Sequence, residues 1–87
     1  MSTSFFSLFY VCVQEQGQVA FLAGKKNGNA VWRNSAKRKL RAAWQQRKQE
    51  VGRFDIILLA HRNITKQSSH ELARVLDDVL FREGLLE

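Results

Sequence analysis

The segment from residue 5 to residue 13 is apolar on both of its faces, and this property constrains the fold more than any other feature of the sequence. Its sequence, FFSLFYVCV, is rich in aromatic and β-branched residues, which favour a β-strand. Successive side chains of a strand point to opposite faces. One face therefore carries Phe6, Leu8, Tyr10 and Cys12, and the other carries Phe5, Phe9, Val11 and Val13. Both faces need at least partial cover, which predicts a layered domain.

Two further strands are predicted from short apolar runs. Residues 14–18 contain Gly17 and have the composition of a hairpin turn, so residues 19–23 are expected to form a second strand antiparallel to the first. Residues 54–60, FDIILLA, are almost continuously apolar. This pattern is typical of a central strand that is covered on both sides.

Two helices are predicted from capping residues and periodicity. Asn29 is expected to cap a helix that runs to about residue 51 and stops at Gly52. Ser68 and Glu71 have the spacing of a capping box, and Gly84 is expected to end the second helix. The predicted order is β-β-α-β-α. The 87 residues are expected to form a single α+β domain, residues 1–87, without an internal repeat or linker.

The positive charge is concentrated in the middle third of the chain. Ten of the 14 Lys and Arg residues lie between residues 24 and 53, together with one acidic residue, Glu50. The flanking segments are acidic, so the net charge of the whole chain is only +6. A charge run is usually a solvated helix face, but a cationic block of this density favours a polyanionic partner. We therefore predict that the middle third binds nucleic acid.

The first predicted helix has an apolar sector and a separate basic sector. At about 100° per residue, Trp32, Ala36, Leu40, Ala43 and Trp44 fall in one sector, which we interpret as core. The neighbouring sector and the preceding loop are polar and basic. The predicted nucleic-acid-binding residues are Lys25, Lys26, Arg33, Asn34, Lys37, Arg38 and Arg41. Aromatic residues of the first strand either pack in the core or stack on unpaired bases, and the candidates for stacking are Phe6, Phe9 and Tyr10.

No arrangement of side chains predicts a self-contained active site. His61 and His70 match no catalytic spacing, and His70 is interpreted as an exposed residue of a helix's first turn. Cys12 is expected to pack within its strand, and as the only cysteine it excludes an internal disulfide. We predict no catalytic residue, no metal ligand and no cofactor bound by the protein alone. No run reaches the ~20 apolar residues of a membrane helix and no signal peptide is evident, so we expect a cytoplasmic protein without a membrane partner.

The basic segment resembles the signature of the bacterial ribonuclease P protein component. From Gly24 to Arg41 the sequence is GKKNGNAVWRNSAKRKLR, and the family pattern is SKKxGxAVxRNRxKRxxR. The two lysines, the glycine, Ala-Val, Arg-Asn, Lys-Arg and the final arginine agree at unchanged spacing. Residues 55–62 are similar to the family's following strand, and residues 69–80 to its last helix.

The resemblance implies both a fold and a function. The fold is a ribosomal-protein-S5-domain-2-like α/β sandwich with a left-handed βαβ crossover. The function is that of an accessory subunit of the endoribonuclease ribonuclease P, whose catalytic groups belong to an RNA and which removes the 5′ leader of precursor tRNA with RNA-bound magnesium. By the same resemblance, the helix with Arg33 and Asn34 faces the catalytic RNA. A cleft between the sheet and this helix is expected to hold the single-stranded leader.

Two departures from the family pattern are informative. Ser35 stands where the family usually has an arginine, and Gly24 where it has a serine. The chain also enters almost directly at the Phe5 strand, whereas the family begins with a helix that covers one sheet face. We therefore expect either lower stability or self-association through the uncovered face. The alternatives to subunit function are a general RNA-binding or ribosome-associated protein and, from a different class, a self-sufficient nuclease.

Overall fold

The computed structural model describes residues 1–87 and contains three strands and two helices. The elements are β1 (Phe6–Cys12), β2 (Val19–Ala23), α1 (Ala30–Gln46), β3 (Phe54–Ala60) and α2 (Ser69–Arg82). Two short 3₁₀ turns, Lys25–Asn27 and Arg62–Lys66, precede α1 and α2. The mixed α+β architecture and the order β-β-α-β-α are as predicted. No helix is both long and apolar enough to cross a membrane.

The strands form one sheet in the order β1-β3-β2. β3 is antiparallel to β1, with Phe6 opposite Ala60, and parallel to β2, with Val19 opposite Ile56. The prediction that β3 is central is confirmed. The predicted hairpin between β1 and β2 is wrong, because β3 lies between them. All seven residues of β3 pair with β1, whereas the shorter β2 has only five residues to offer.

Both helices pack on the same face of the sheet. The core joins Phe6, Leu8 and Leu58 of the sheet to Leu40 of α1 and Leu76 of α2. The opposite face has no cover, and its apolar side chains Phe9, Val11, Leu22 and Ile57 are all exposed. Cover of the second face, which the apolar strand pattern required, is therefore not supplied by residues 1–87. Cys12 is also exposed at the end of β1, so its predicted packing is wrong.

Three of the four predicted helix termini follow their capping residues, with one difference at Glu71. The Asn29 side chain accepts a hydrogen bond from the Trp32 amide, and the Ser68 hydroxyl accepts one from the Glu71 amide. The Glu71 carboxylate does not complete a capping box but lies 3.6 Å from a guanidinium nitrogen of Arg74. Gly84 follows α2 with a φ of 72°, which a glycine adopts without strain.

α1 ends at Gln46, about five residues earlier than predicted from helix-forming residues alone. The next residue, Arg47, has an extended backbone, and its guanidinium lies over the Trp44 ring at 4.3 Å. It also donates a hydrogen bond to the Gln49 carbonyl. These two contacts turn the chain back toward β3 before Gly52 is reached, and the Gly52 amide then bonds to the Leu85 carbonyl.

Candidate nucleic-acid interface

α1 is fixed on the sheet by its apolar face and at its N-terminal end by Trp32. Ala36, Leu40 and Ala43 are buried against the core, and Trp32 packs half-buried beside them. The Trp32 indole N–H donates to the Arg62 carbonyl at 3.2 Å. A Cβ atom on Gly28 would lie 2.8 Å from the Trp32 side chain, so this position needs a glycine. The start of α1 is therefore held against the turn that follows β3.

The predicted RNA-binding residues lie together on α1 and the turn before it. Arg38, Arg41 and Asn34 are exposed on the outer face of the helix. Arg33 and Lys37 are half-buried, and Lys25 and Lys26 are exposed in the 3₁₀ turn. We call this surface the basic face; it comprises Lys25, Lys26, Arg33, Asn34, Lys37, Arg38 and Arg41.

No carboxylate neutralises the basic face. The structure contains two ion pairs, Glu71–Arg74 and Asp78–Arg82, and both lie on α2. The Arg38 side chain makes no hydrogen bond within the chain, and the acidic residue closest to it in sequence is Glu50, beyond the end of α1. Guanidinium groups without intramolecular partners retain all their donors for phosphate oxygens. The arrangement is therefore suited to bind a polyanion.

One lysine of α1 has a different role. Lys39 points away from the basic face, and its ammonium group donates to the carbonyls of Thr65 and Gln67 at 2.7 and 2.5 Å. It thereby ties α1 to the segment before α2. Of the cationic side chains on α1, this one is committed to the fold.

The three predicted stacking residues do not form one platform. Phe6 is only 1% exposed within the core, so the prediction that it stacks on RNA bases is wrong. Phe9 is 52% exposed on the uncovered face of the sheet. Tyr10 is 44% exposed on the helix side, where its ring contacts the Phe54 ring edge-on at 5.8 Å. Strand alternation places Phe9 and Tyr10 on opposite faces, so a single RNA strand cannot stack on both at once.

The expected cleft between the sheet and α1 is also absent along most of the helix, because Ala36, Leu40 and Ala43 fill that space. A groove of about 730 Å³ opens only beyond the C-terminal end of α1, beside Trp44 and Arg47. The uncovered sheet face, where Phe9, Val11, Leu22 and Ile57 are exposed, remains as an apolar surface for a stacked base.

Two basic residues next to the basic face were missed from the sequence. Arg62 and Lys66 are exposed in the turn after β3 and line a hollow of about 440 Å³ with Asn27 and Trp32. β2 and β3 are parallel and Ala23 pairs with Ala60, so the segments that follow both strands meet at one edge of the sheet. A parallel pairing of β2 and β3 predicts that Arg62 and Lys66 lie close to the basic face. The predicted β1–β2 hairpin does not include this pairing, so the two residues could not be assigned to the site.

A serine–histidine pair was also missed. The Ser7 hydroxyl lies 2.7 Å from His61 Nε2 and 2.8 Å from the Ser2 hydroxyl. A nucleophilic serine needs access to substrate and a histidine oriented by a third group. Ser7 is only 8% exposed, and no carboxylate contacts His61. The pair therefore ties the start of β1 to the end of β3.

Known proteins are similar to this chain in both sequence and fold. The family model described as Ribonuclease P matches residues 1–83. The ribonuclease P protein component of Enterococcus faecalis is 41% identical over 85 residues, which cover 91% of this chain and 72% of the relative. That of Oceanobacillus iheyensis is 32% identical over 71 residues, covering 80% of this chain and 59% of the relative. The chain thus spans less than two thirds of the length of the second relative.

The solved structure of the Staphylococcus aureus RNase P protein has the same fold. It superposes with a TM-score of 0.77 over 100% of this chain and 82% of its own, at 24% sequence identity. The match of the family model covers nearly the whole sequence and includes the entire basic face. The chain belongs to the ribonuclease P protein component family.

Proposed function

We propose that this protein is the RNA-binding subunit of ribonuclease P and assists a catalytic RNA in removing the 5′ leader of precursor tRNA. The observation that carries the proposal is the basic face, whose six cationic side chains have no ion pair within the chain. Such a surface gains free energy by releasing the counterions of a phosphate backbone. Family membership supplies the class of RNA, because the matched relatives are ribonuclease P protein components.

In this proposal the two exposed surfaces have different RNA partners. The basic face binds the catalytic RNA, with Arg38 and Arg41 on phosphates and Asn34 on a base edge or a 2′-hydroxyl. The uncovered sheet face, with Phe9 at 52% exposure, stacks on the unpaired leader. Magnesium ions belong to the RNA. The protein binds and positions RNA, and its own side chains take no part in bond cleavage.

The Ser35 departure weakens the basic face only locally. Ser35 is half-buried and lines a hollow on α1 together with Arg38 and Lys39. Its side chain supplies no charge. Arg62 and Lys66 place two further cations at the same end of the molecule. We propose that these two residues compensate for the phosphate donor that serine lacks.

The test is reconstitution of precursor tRNA cleavage at low magnesium concentration with a bacterial ribonuclease P RNA. Cleavage is measured with the protein alone, with the RNA alone and with both. We expect cleavage only when both are present. Cleavage by the protein alone would refute the accessory role and favour the self-sufficient nuclease. Tight RNA binding without any gain in cleavage would instead favour a general RNA-binding or ribosome-associated protein.

Two matched variants test in the same assay whether the uncovered sheet face binds the leader. Phe9→Ser removes the exposed ring, and Val11→Ser removes an apolar side chain from the same face without removing an aromatic one. We expect Phe9→Ser to raise KM for a precursor with a leader of several nucleotides. It should leave unchanged the KM for a precursor with a one-nucleotide leader. Equal effects of both variants on both precursors would remove Phe9 from leader binding.

A further inference from the structure

Two arginines and two aromatic rings form a continuous array at the border between α1 and β2. The Arg41 guanidinium lies over the Phe21 ring at 5.7 Å from its centre. The Phe21 ring contacts the Trp44 ring edge-on at 6.5 Å, and the Arg47 guanidinium lies over the Trp44 ring at 4.3 Å. We call these four residues the arginine–aromatic array.

The array continues the basic face toward the C-terminal end of α1. Residues separated by three or four positions lie on one row of a helix. Arg33, Lys37, Arg41 and Trp44 have this spacing, and the contacts of Arg41 and Trp44 with Phe21 show that the row borders β2. Arg47 lies just beyond the end of α1, and its contact with the Trp44 ring brings a fourth cation to the C-terminal end of this row.

Both arginines keep donors available for a ligand. The Arg41 side chain is exposed and makes no hydrogen bond or ion pair within the chain. Arg47 forms no ion pair and donates through Nη1 to the Gln49 carbonyl at 2.7 Å. Its Nε is buried without a partner, so Nη2 is the group that remains available to a ligand. A guanidinium placed over a ring face still has N–H groups directed away from the ring, and these can bind phosphate oxygens.

We propose that the arginine–aromatic array extends the phosphate-binding surface beyond the basic face: Arg47 joins Arg41 in contacting the RNA backbone, and Phe21 and Trp44 are positioning residues. This inference rests on the proposed RNA-binding function. The rings fix the two guanidinium groups before binding, which reduces the conformational entropy lost when RNA is bound. The site therefore requires arginine and not merely positive charge, since a lysine ammonium cannot stack and bond in the same fork-like manner.

The test compares variants that preserve net charge. Phe21→Leu keeps an apolar side chain but removes the ring under Arg41, and Arg47→Lys keeps the charge but removes the stacked guanidinium. We expect each to weaken binding of a ribonuclease P RNA by about two- to fivefold, the effect of one exposed cation–π contact. Phe21→Tyr keeps the ring and should bind as the wild type does. Circular dichroism at the assay temperature confirms that each variant is folded.

The double variant Phe21→Leu/Arg41→Ala distinguishes positioning from packing. If Phe21 acts through Arg41, the double variant should bind no more weakly than Arg41→Ala alone. Equal affinity of folded Phe21→Leu and wild type, while Arg41→Ala binds weakly, would overturn the positioning role. A salt dependence of Arg47→Ala equal to that of wild type would remove Arg47 from the phosphate contacts. Failure of the wild type to bind the RNA would refute the proposed function itself.

Discussion

Arg38 offers the cleanest test of the basic face, because its replacement changes charge and almost nothing else. Its side chain is exposed at the middle of α1 and has no ion pair within the chain. Arg38→Ala also places a strong helix former in an exposed helix position. We therefore expect the free energy of unfolding to change by no more than about 0.5 kcal/mol. Any change in RNA affinity then reports contacts with RNA.

The expected change in the salt dependence of RNA affinity follows from the number of cations that have no ion pair. Each phosphate contact contributes about −0.7 to −0.9 to the slope of log affinity against log salt concentration. The six cations of the basic face, none of which forms an ion pair, contribute about −4 to −5 to the wild-type slope if all of them contact phosphate. Contacts by Arg47, Arg62 and Lys66 would make the slope steeper. Arg38→Ala should make the slope shallower by about 0.7 to 0.9. Between 50 and 200 mM salt the wild type should then lose about threefold more affinity than the variant.

The assay is equilibrium filter binding of a ribonuclease P RNA at several salt concentrations. Arg82→Ala is the matched control, because it makes the same change in charge at an exposed α2 residue that is paired with Asp78 at 3.1 Å. It should keep the wild-type slope. An unchanged slope in Arg38→Ala would refute the assignment of Arg38 to phosphate. Equal reductions in both variants would show that net charge, not the basic face, determines the affinity.

Three substitutions and one control, Gly24→Ala, test the fold, each by urea unfolding. Gly17→Ala would place a Cβ atom 1.7 Å from the Phe54 carbonyl oxygen and should lower the free energy of unfolding by about 1–3 kcal/mol. In Gly24→Ala no atom lies nearer than 4.0 Å to the new Cβ atom, so the free energy of unfolding should change by less than about 0.5 kcal/mol. Equal effects of the two variants would contradict the close approach of Gly17 to Phe54. Leu40→Ala should cost about 3–5 kcal/mol without altering the salt slope of the folded protein, and a smaller slope would contradict the separation of core and basic face. Ser68→Ala should cost about 1 kcal/mol by removing the α2 cap, and no loss would show that the cap is dispensable.

The features predicted correctly from the sequence are those that depend on neighbouring residues. Asn29 and Ser68 cap their helices through bonds to the amide three residues later, so both starts can be identified within four residues of sequence. The central position of β3 follows from its sequence, in which nearly all side chains are apolar. The division of α1 into a buried and a basic side follows from helical periodicity alone.

The features predicted wrongly depend on contacts between distant segments. The position of β3 between β1 and β2 is decided by pairing across more than thirty residues, and a turn-like segment at Gly17 does not reveal it. Phe6 and Phe9 are the same residue type in one strand, yet only the helices' positions determine which is buried. The early end of α1 is the exception, because it depends on a local contact, the Arg47 guanidinium over the Trp44 ring, which helix propensity does not include.

Adjacent residues of α1 have different roles, since some stabilise the fold and their neighbours are available to bind RNA. Leu40 is buried and Arg41 is exposed, because successive residues of a helix differ in direction by about 100°. The uncompensated cations repel one another in the free protein, which lowers its stability. The buried side of the helix offsets this cost through Leu40 and the Trp32 indole bond, and Lys39 contributes its two carbonyl contacts. A polyanion that binds the basic face removes the repulsion without disturbing any of these contacts. Bound RNA should consequently stabilise the fold without altering its core.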